Sequence, residues 1–261
     1  MVAGRHPAVG KRGAVGQVTA TAIVLRRSDF RESSRIVGCL TREHGRISGL
    51  AKGAHRPDSP FLGHIDFLNE VEATFSADRG GLRLLVKAKL LRERRTLREP
   101  RRFLAAGHLA QLCEVATPEG SPEPELFDLL QGGLNLLERC PESAIEQIVL
   151  GLELRYLKAL GALPALDRCS TGGCSLAEGA FRDPTSPGLV CRNHAPAPRQ
   201  AVGEDTRALL AMLDARPGRE WPGLALPAAP RRGAPLVGTW IEHATEVRPR
   251  LRTMLFGRDL P

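Results

Sequence analysis

Aromatic residues are scarce in this chain: Phe, Trp and Tyr make up 4% of 261 residues, with one Tyr and two Trp. Residues 1–98 hold only Phe30, Phe61, Phe67 and Phe75, most of them expected in the core. This argues against a platform that binds single strands by stacking successive bases on rings. No apolar run approaches the roughly 18 residues that cross a bilayer, so no membrane association is expected. The opening sixteen residues, MVAGRHPAVGKRGAVG, lack the apolar segment of a secretory signal. They read as a flexible basic arm, and the cytoplasm is the expected compartment. A Walker lysine loop, a His-Glu-x-x-His helix and a Gly-x-Ser-x-Gly elbow are all missing. Glu242 and His243 adjoin on a helix facing different directions, and His44, His55 and His64 fall in or near turns as ordinary polar residues. No enzyme is expected. Cys39, Cys113 and Cys140 stand singly among apolar residues, as buried reduced thiols do.

Positive charge is plentiful and uneven. Residues 1–98 hold 19 Lys/Arg against 9 Asp/Glu, while residues 99–261 hold 18 against 20, so the net +8 lives at one end. Such an excess, spread over several strands, is the footprint of a surface that docks on polyphosphate. The series is Arg26, Arg27, Arg31, Arg35, Arg42, Arg46, Lys52, Arg56, Arg83, Lys87 and Lys89. Cations on neighbouring strands can neutralise a phosphate track with little regard for base sequence and with steep salt dependence.

The chain divides near residue 98. Runs rich in Val, Ile and Thr between turn residues predict strands near 17–26, 34–41, 45–54, 67–76 and 82–92, too close together for crossover helices. That predicts a five-stranded antiparallel OB-type barrel over 17–95, within an α+β chain. In the last strand Leu82, Leu84, Val86, Ala88 and Leu90 are expected on an apolar face opposite Arg83, Leu85, Lys87 and Lys89. From residue 100 to 261 the period turns helical. Phe103, Ala106, Ala110 and Cys113 form one core stripe, and Leu126, Leu129, Leu130, Gly133, Leu134 and Leu137 another. Ser143 and Glu146 predict a capping box for a third helix that Gly161 and Pro164 end. Helices are also expected over 204–216 and 239–256, the latter divided by Pro249. Residues 217–235, with five prolines and three glycines, read as loop.

Within the helical part, at about 165–198, Cys169, Cys174, Cys191 and His194 form Cys-x4-Cys-x16-Cys-x2-His. Two short-spaced pairs of thiolate and imidazole can close a zinc tetrahedron. Four protein ligands leave no position for water, so the expected Zn2+ is structural and holds a loop poor in apolar residues. Unliganded thiols and a Cys169–Cys174 disulfide are the alternatives.

The segment LRRSDFRESSRIVGCLTREHGRISGLAKGAHRP, residues 25–57, closely resembles the opening of the bacterial recombination mediator family RecO. The closing VRPRLRTMLFGRDL is similar in character to the family's carboxyl-terminal segments. The resemblance implies an amino-terminal OB fold and a helical domain carrying a zinc loop, often of four cysteines; His194 stands here for the last. It implies a non-enzymatic, nucleoid-associated protein of repair and recombination. Such a protein binds single- and double-stranded DNA and anneals complementary strands. With RecR it helps load RecA on DNA coated by single-strand-binding protein. Arg35, Lys52 and Arg56 become the first candidates for DNA contact, with Arg26, Arg27, Arg42 and Arg46 behind them. The same charges would also suit an RNA-binding OB protein with a zinc knuckle, and an open metal position would suit a zinc hydrolase.

Overall fold

Apolar positions spaced by two between short turns fold into five strands: β1 (Val18–Phe30), β2 (Ser34–Thr41), β3 (Gly45–Ala51), β4 (Glu70–Phe75) and β5 (Arg83–Arg92). The structure is a computed structural model that describes residues 16–77 and 82–257, so nearly all of the expected basic arm lies outside the described residues. The strands close into a barrel in the order β1-β2-β3-β5-β4, with β4 returning to β1. All neighbours are antiparallel except β3 and β5, which run parallel through Gly49–Arg83 and Leu50–Leu84. A closed ring of five strands cannot alternate direction at every step, so one parallel seam is geometrically required.

The interior is filled by Val24, Val37, Cys39, Ile47, Val71, Phe75 and Leu85. On β5 the expected alternation fails in its first half. The register steps from Thr74–Lys87 to Phe75–Leu85, which leaves Val86 as an extra residue. A bulge of one residue exchanges the two faces. Leu85 therefore points inward, while Leu82, Leu84 and Val86 are exposed.

The helical part comprises α1 (Pro100–Ala116), α2 (Pro124–Arg139), α3 (Ile145–Ala159), α4 (Glu204–Ala215), α5 (Pro230–Thr245) and α6 (Arg250–Phe256). Pro249 divides the last two, as expected. However, α5 begins inside the stretch read as loop, because Pro230 at the first helical position lacks only an N–H that would be unpaired there. A 3-10 turn occupies Gly218–Gly223 in the same stretch. The Ser143–Glu146 capping box does not form: Glu142–Ala144 is a 3-10 turn, and Ala144 precedes α3 with no side-chain cap. The Glu146 carboxylate is taken instead by Arg101 and Arg231. In the α1 stripe Ala106, Ala110 and Cys113 are buried, but Phe103 is not.

α3 is apolar on nearly every side because α1, α2, α4 and α5 all pack on it. The outer wall of the barrel contributes Ile23, Leu25, Leu40 and Leu68 to this helical core. Between α3 and α4 the chain adds a small sheet of β6 (Ala180–Arg182), β7 (Leu189–Val190) and β8 (Gln200–Val202), in the order β7-β6-β8. Among the described residues no helix is long and apolar enough to cross a membrane.

Candidate nucleic-acid interface and metal cluster

The structure sorts the cations of the barrel by where they stand. At the β2–β3 turn, Arg42 makes a two-point contact with Asp128 of α2, Nε–Oδ1 2.9 Å and Nη2–Oδ2 3.0 Å. The Arg42 guanidinium holds the Asp128 carboxyl below the usual carboxylate range. Arg46 and Arg26 both reach Glu114 of α1, at 3.5 and 3.7 Å. The backbone joins in: the Ser48 N–H donates to Glu119 Oε1 at 3.1 Å, and the Gly120 N–H donates to the Arg46 carbonyl at 2.9 Å. Gly45, with φ +65°, brings the turn so near the helical part that a Cβ there would lie 1.9 Å from the Ser121 carbonyl oxygen. Three of the expected DNA-contacting arginines thus fasten the barrel to the helices.

Arg94, not among the candidates, does the same from a fully buried position. Its guanidinium donates to Glu138 Oε2 at 2.8 Å, Asn135 Oδ1 at 2.9 Å and Glu70 Oε2 at 3.1 Å. Burial pushes its pKa down against the pull of Glu138 and Glu70. Gln131 also reaches Glu70. Asp128, Gln131, Asn135 and Glu138 recur every three or four residues, so one face of α2 lies along the barrel.

At the opposite end the cations are open. β2 begins and β3 ends here, with Arg35 opposite Ala51 in the register, and Lys52 follows directly. The His55 N–H donates to the Ser33 carbonyl at 3.1 Å and ties the loop after β3 to the β1–β2 turn, where Arg31 leans over the Phe30 ring at 5.3 Å. Lys52, Arg56, Lys87 and Lys89 are exposed and meet no carboxylate among the described residues. Because β3 and β5 run the same way from the Gly49–Arg83 pair, Lys52 and Lys87 lie toward the same end. Arg35 is engaged by Asp29 at 3.0 Å, a carboxylate that His55 shares at 2.9 Å. Arg27 is held by Asp66. Arg83 lies at the start of β5, on the parallel seam.

The four expected metal ligands come together. His194 Nδ1 lies 3.4 Å from Cys169 Sγ, 3.7 Å from Cys174 Sγ and 3.3 Å from Cys191 Sγ, and the Cys174 and Cys191 sulfurs are 3.9 Å apart. Ligands around one tetrahedral zinc lie about 3.5–3.8 Å from one another, given Zn–S near 2.3 Å and Zn–N near 2.0 Å. The chain builds this from two turns. Cys169–Cys174 is a hairpin, with Cys169 N–H donating to the Cys174 carbonyl at 2.8 Å, and Cys191–His194 is a turn closed at 3.1 Å. Gly172 is required: a Cβ would lie 2.5 Å from His194 Cε1 and 3.1 Å from Cys174 Sγ.

Burial opposes ionisation of Cys169, but N–H groups of Cys191, Gly172 and Thr171, with His194, outweigh it and bring the thiol down to about 6. A thiol readily made thiolate is what a metal needs. All six cysteines are free thiols. Burial instead pushes Cys39 and Cys113 up to about 12, which leaves them inert. The cluster can hold a metal ion, and Leu176, Ala180, Leu189 and Val190 seat it on the helical core.

A second buried polar group lay unseen in the sequence. Glu153 of α3 is gripped by His108 Nε2 at 2.6 Å and by Arg252 of α6 at 2.7 and 3.2 Å, all inside the core. Its sequence signal was an acid set between Leu152 and Leu154 in the mostly apolar stretch Ile148–Leu154, spelled IVLGLEL.

A closed five-stranded OB-type barrel docked on helices that carry a Cys3His cluster defines the class of protein. The chain belongs to the RecO family. The family model described as "Recombination protein O N terminal" matches residues 15–94, and "Recombination protein O C terminal" matches residues 97–252. The chain is 33% identical over 198 residues to a protein of Rhodopirellula baltica named DNA repair protein RecO, covering 74% of this chain and 73% of that one. It is 32% identical over 223 residues to the DNA repair protein RecO of Anaeromyxobacter dehalogenans, covering 84% and 85%. A namesake from Myxococcus xanthus is 30% identical over 224 residues, covering 85% and 90%.

Proposed function

We propose that this protein serves DNA repair and recombination by binding single- and double-stranded DNA at the open cationic end of its barrel and annealing complementary strands there. The observation that carries this reading is the set Lys52, Arg56, Lys87 and Lys89, gathered toward one end with no carboxylate partner among the described residues. Screening two phosphate backbones lets them approach, while base pairing itself selects the sequence. The protein carries out no chemical step. With RecR it helps place RecA on DNA coated by single-strand-binding protein, in the cytoplasm at the nucleoid, and the helical part from residue 100 onward recruits these partners. Arg31 and Arg35 flank the DNA path at the β1–β2 turn.

Cys169, Cys174, Cys191 and His194 hold a structural Zn2+, whose four-ligand shell pins the loop to the helical core. Equilibrium dialysis followed by elemental analysis should find one zinc per chain. Cys191→Ser should lose it while the barrel keeps its DNA affinity.

The deciding experiment for DNA is binding and annealing by the full chain across a salt series. The fourfold variant Lys52→Glu, Arg56→Glu, Lys87→Glu, Lys89→Glu should lower the salt slope by about 3–4, at close to 0.9 per phosphate contact. Unchanged affinity and slope would remove this end of the barrel from the DNA path.

A further inference from the structure

The barrel and the helices meet over an open cleft of about 540 Å3 whose lining includes Arg27, Asp66, Phe67, Arg98 and Phe103. That volume lies within the roughly 300–1,000 Å3 of small-ligand sites. Phe103, in the first turn of α1, is 42% exposed and is the one aromatic among the large apolar side chains exposed in the described residues. Its ring stands edge to face with Phe67, centroids 5.6 Å apart and planes at 63°, so Phe67 braces it without covering it. Beside it two guanidiniums converge on one acid: Arg27 bonds Asp66 Oδ1, and Arg98, which also donates to Glu93 Oε1 at 3.1 Å, approaches Asp66 Oδ2 at 3.5 Å. Asp66 thereby fills, from within the chain, a place shaped for an anion between two arginines.

We propose that this cleft takes a single unpaired nucleotide of a DNA strand, its base stacked on Phe103 and its phosphate replacing Asp66 between Arg27 and Arg98. The inference rests on the DNA-binding reading and adds to it a means of telling single strands from duplex. A base inside a duplex is already stacked and paired, whereas an unpaired base can turn into the cleft. Continuity with the cationic end favours a nucleotide over an acidic peptide. His64, two residues before Asp66, places its Nδ1 3.0 Å from the carbonyl oxygen of Ala88, between Lys87 and Lys89. His64 thus ties the lysine-bearing stretch of β5 to the segment that carries Asp66.

The test uses the full chain and an oligothymidylate carrying one 2-aminopurine, whose emission is quenched when its base stacks. Wild type should quench the probe. Phe103→Ala should abolish the quenching and weaken single-strand binding roughly tenfold, as for loss of one base–aromatic stack, and leave duplex affinity unchanged. Phe103→Tyr should restore both signals, and an unchanged melting midpoint for the Ala variant shows that the fold is intact. If wild type binds both DNA forms but Phe103→Ala keeps its single-strand affinity and quenching, the cleft assignment is wrong while the DNA reading stands. If wild type binds neither form, the DNA reading itself fails. An oligo-aspartate peptide bearing one phenylalanine that binds wild type but not Phe103→Ala, with DNA binding unaffected in the variant, would give the cleft to an acidic partner and overturn the proposal.

Discussion

The two ends of the barrel carry the same residue types and use them in opposite ways. Arg42 and Arg46 at the β2–β3 turn, and Arg26 on the adjoining wall of β1, are matched by Asp128 and Glu114 of the helices. Around the end of β3 and along β5, Lys52, Arg56, Lys87 and Lys89 face solvent. Charge counted along a sequence cannot separate these cases, because a neutral-looking helical half supplies acids at particular places. Its balance of −2 includes Glu114, Asp128 and Glu138, carboxylates that pair with arginines on the barrel side. The lesson is that a basic patch is defined by the cations left over after folding.

The comparison is sharpest where paired cations are also buried. Arg94 has a fully buried side chain between Glu70 and Glu138, and its Nε has no partner. Removing one member of a buried charge group leaves the others uncompensated, at about 3–5 kcal/mol. Arg94→Met should lower stability by that amount in urea unfolding, with the barrel and helices parting first. A loss below about 1 kcal/mol would mean that the two parts are held by their apolar seam through Ile23, Leu25, Leu40 and Leu68.

A comparable group anchors α6, and it can be broken by pH. Burial favours the neutral Glu153, but Arg252 and His108 prevail and hold its carboxyl below the ordinary 4.5. A carboxyl depressed in the folded state contributes stability that is complete above its unfolded pKa and is lost as pH falls through the folded value. Denaturant midpoints should therefore be level from pH 7 to about 5 with respect to this group and drop below it. Glu153→Gln, less stable throughout, should lose this part of the acid dependence. Parallel curves for wild type and variant would sever the link.

How far these features could be read beforehand follows from what creates them. Short-range patterns were legible: the strand runs, the Pro249 break and the Cys-x4-Cys-x16-Cys-x2-His ligands all depend on neighbours in the chain or on residue type. What stayed hidden depends on partners far away in sequence. The bulge at Val86 is set by β4, and the early start of α5 at Pro230 by packing on α3 and α4. Phe103 fitted a helical stripe perfectly well, yet the stripe's first turn projects past the core into the cleft beside Phe67. The partners of Arg42 and Arg46 could not be read from the sequence because Asp128 and Glu114 lie 86 and 68 residues further on.

The smallest effect expected is also the most direct test of the two ends. Two double variants, Arg26→Gln with Arg42→Gln and Lys87→Gln with Lys89→Gln, each remove two positive charges from the barrel and change its net charge equally. If DNA responded to net charge alone, both would lower affinity alike. If it responds to cations free to meet phosphate, Lys87→Gln with Lys89→Gln should reduce the salt slope by about 2. The arginine pair should leave the slope near wild type, since Glu114 and Asp128 already occupy those guanidiniums. Both arginines are half exposed, so their loss should also shift the melting midpoint only slightly. Equal slopes for the two variants would erase the distinction between the ends, because every arginine of the barrel would then exchange its carboxylate for phosphate when DNA arrives.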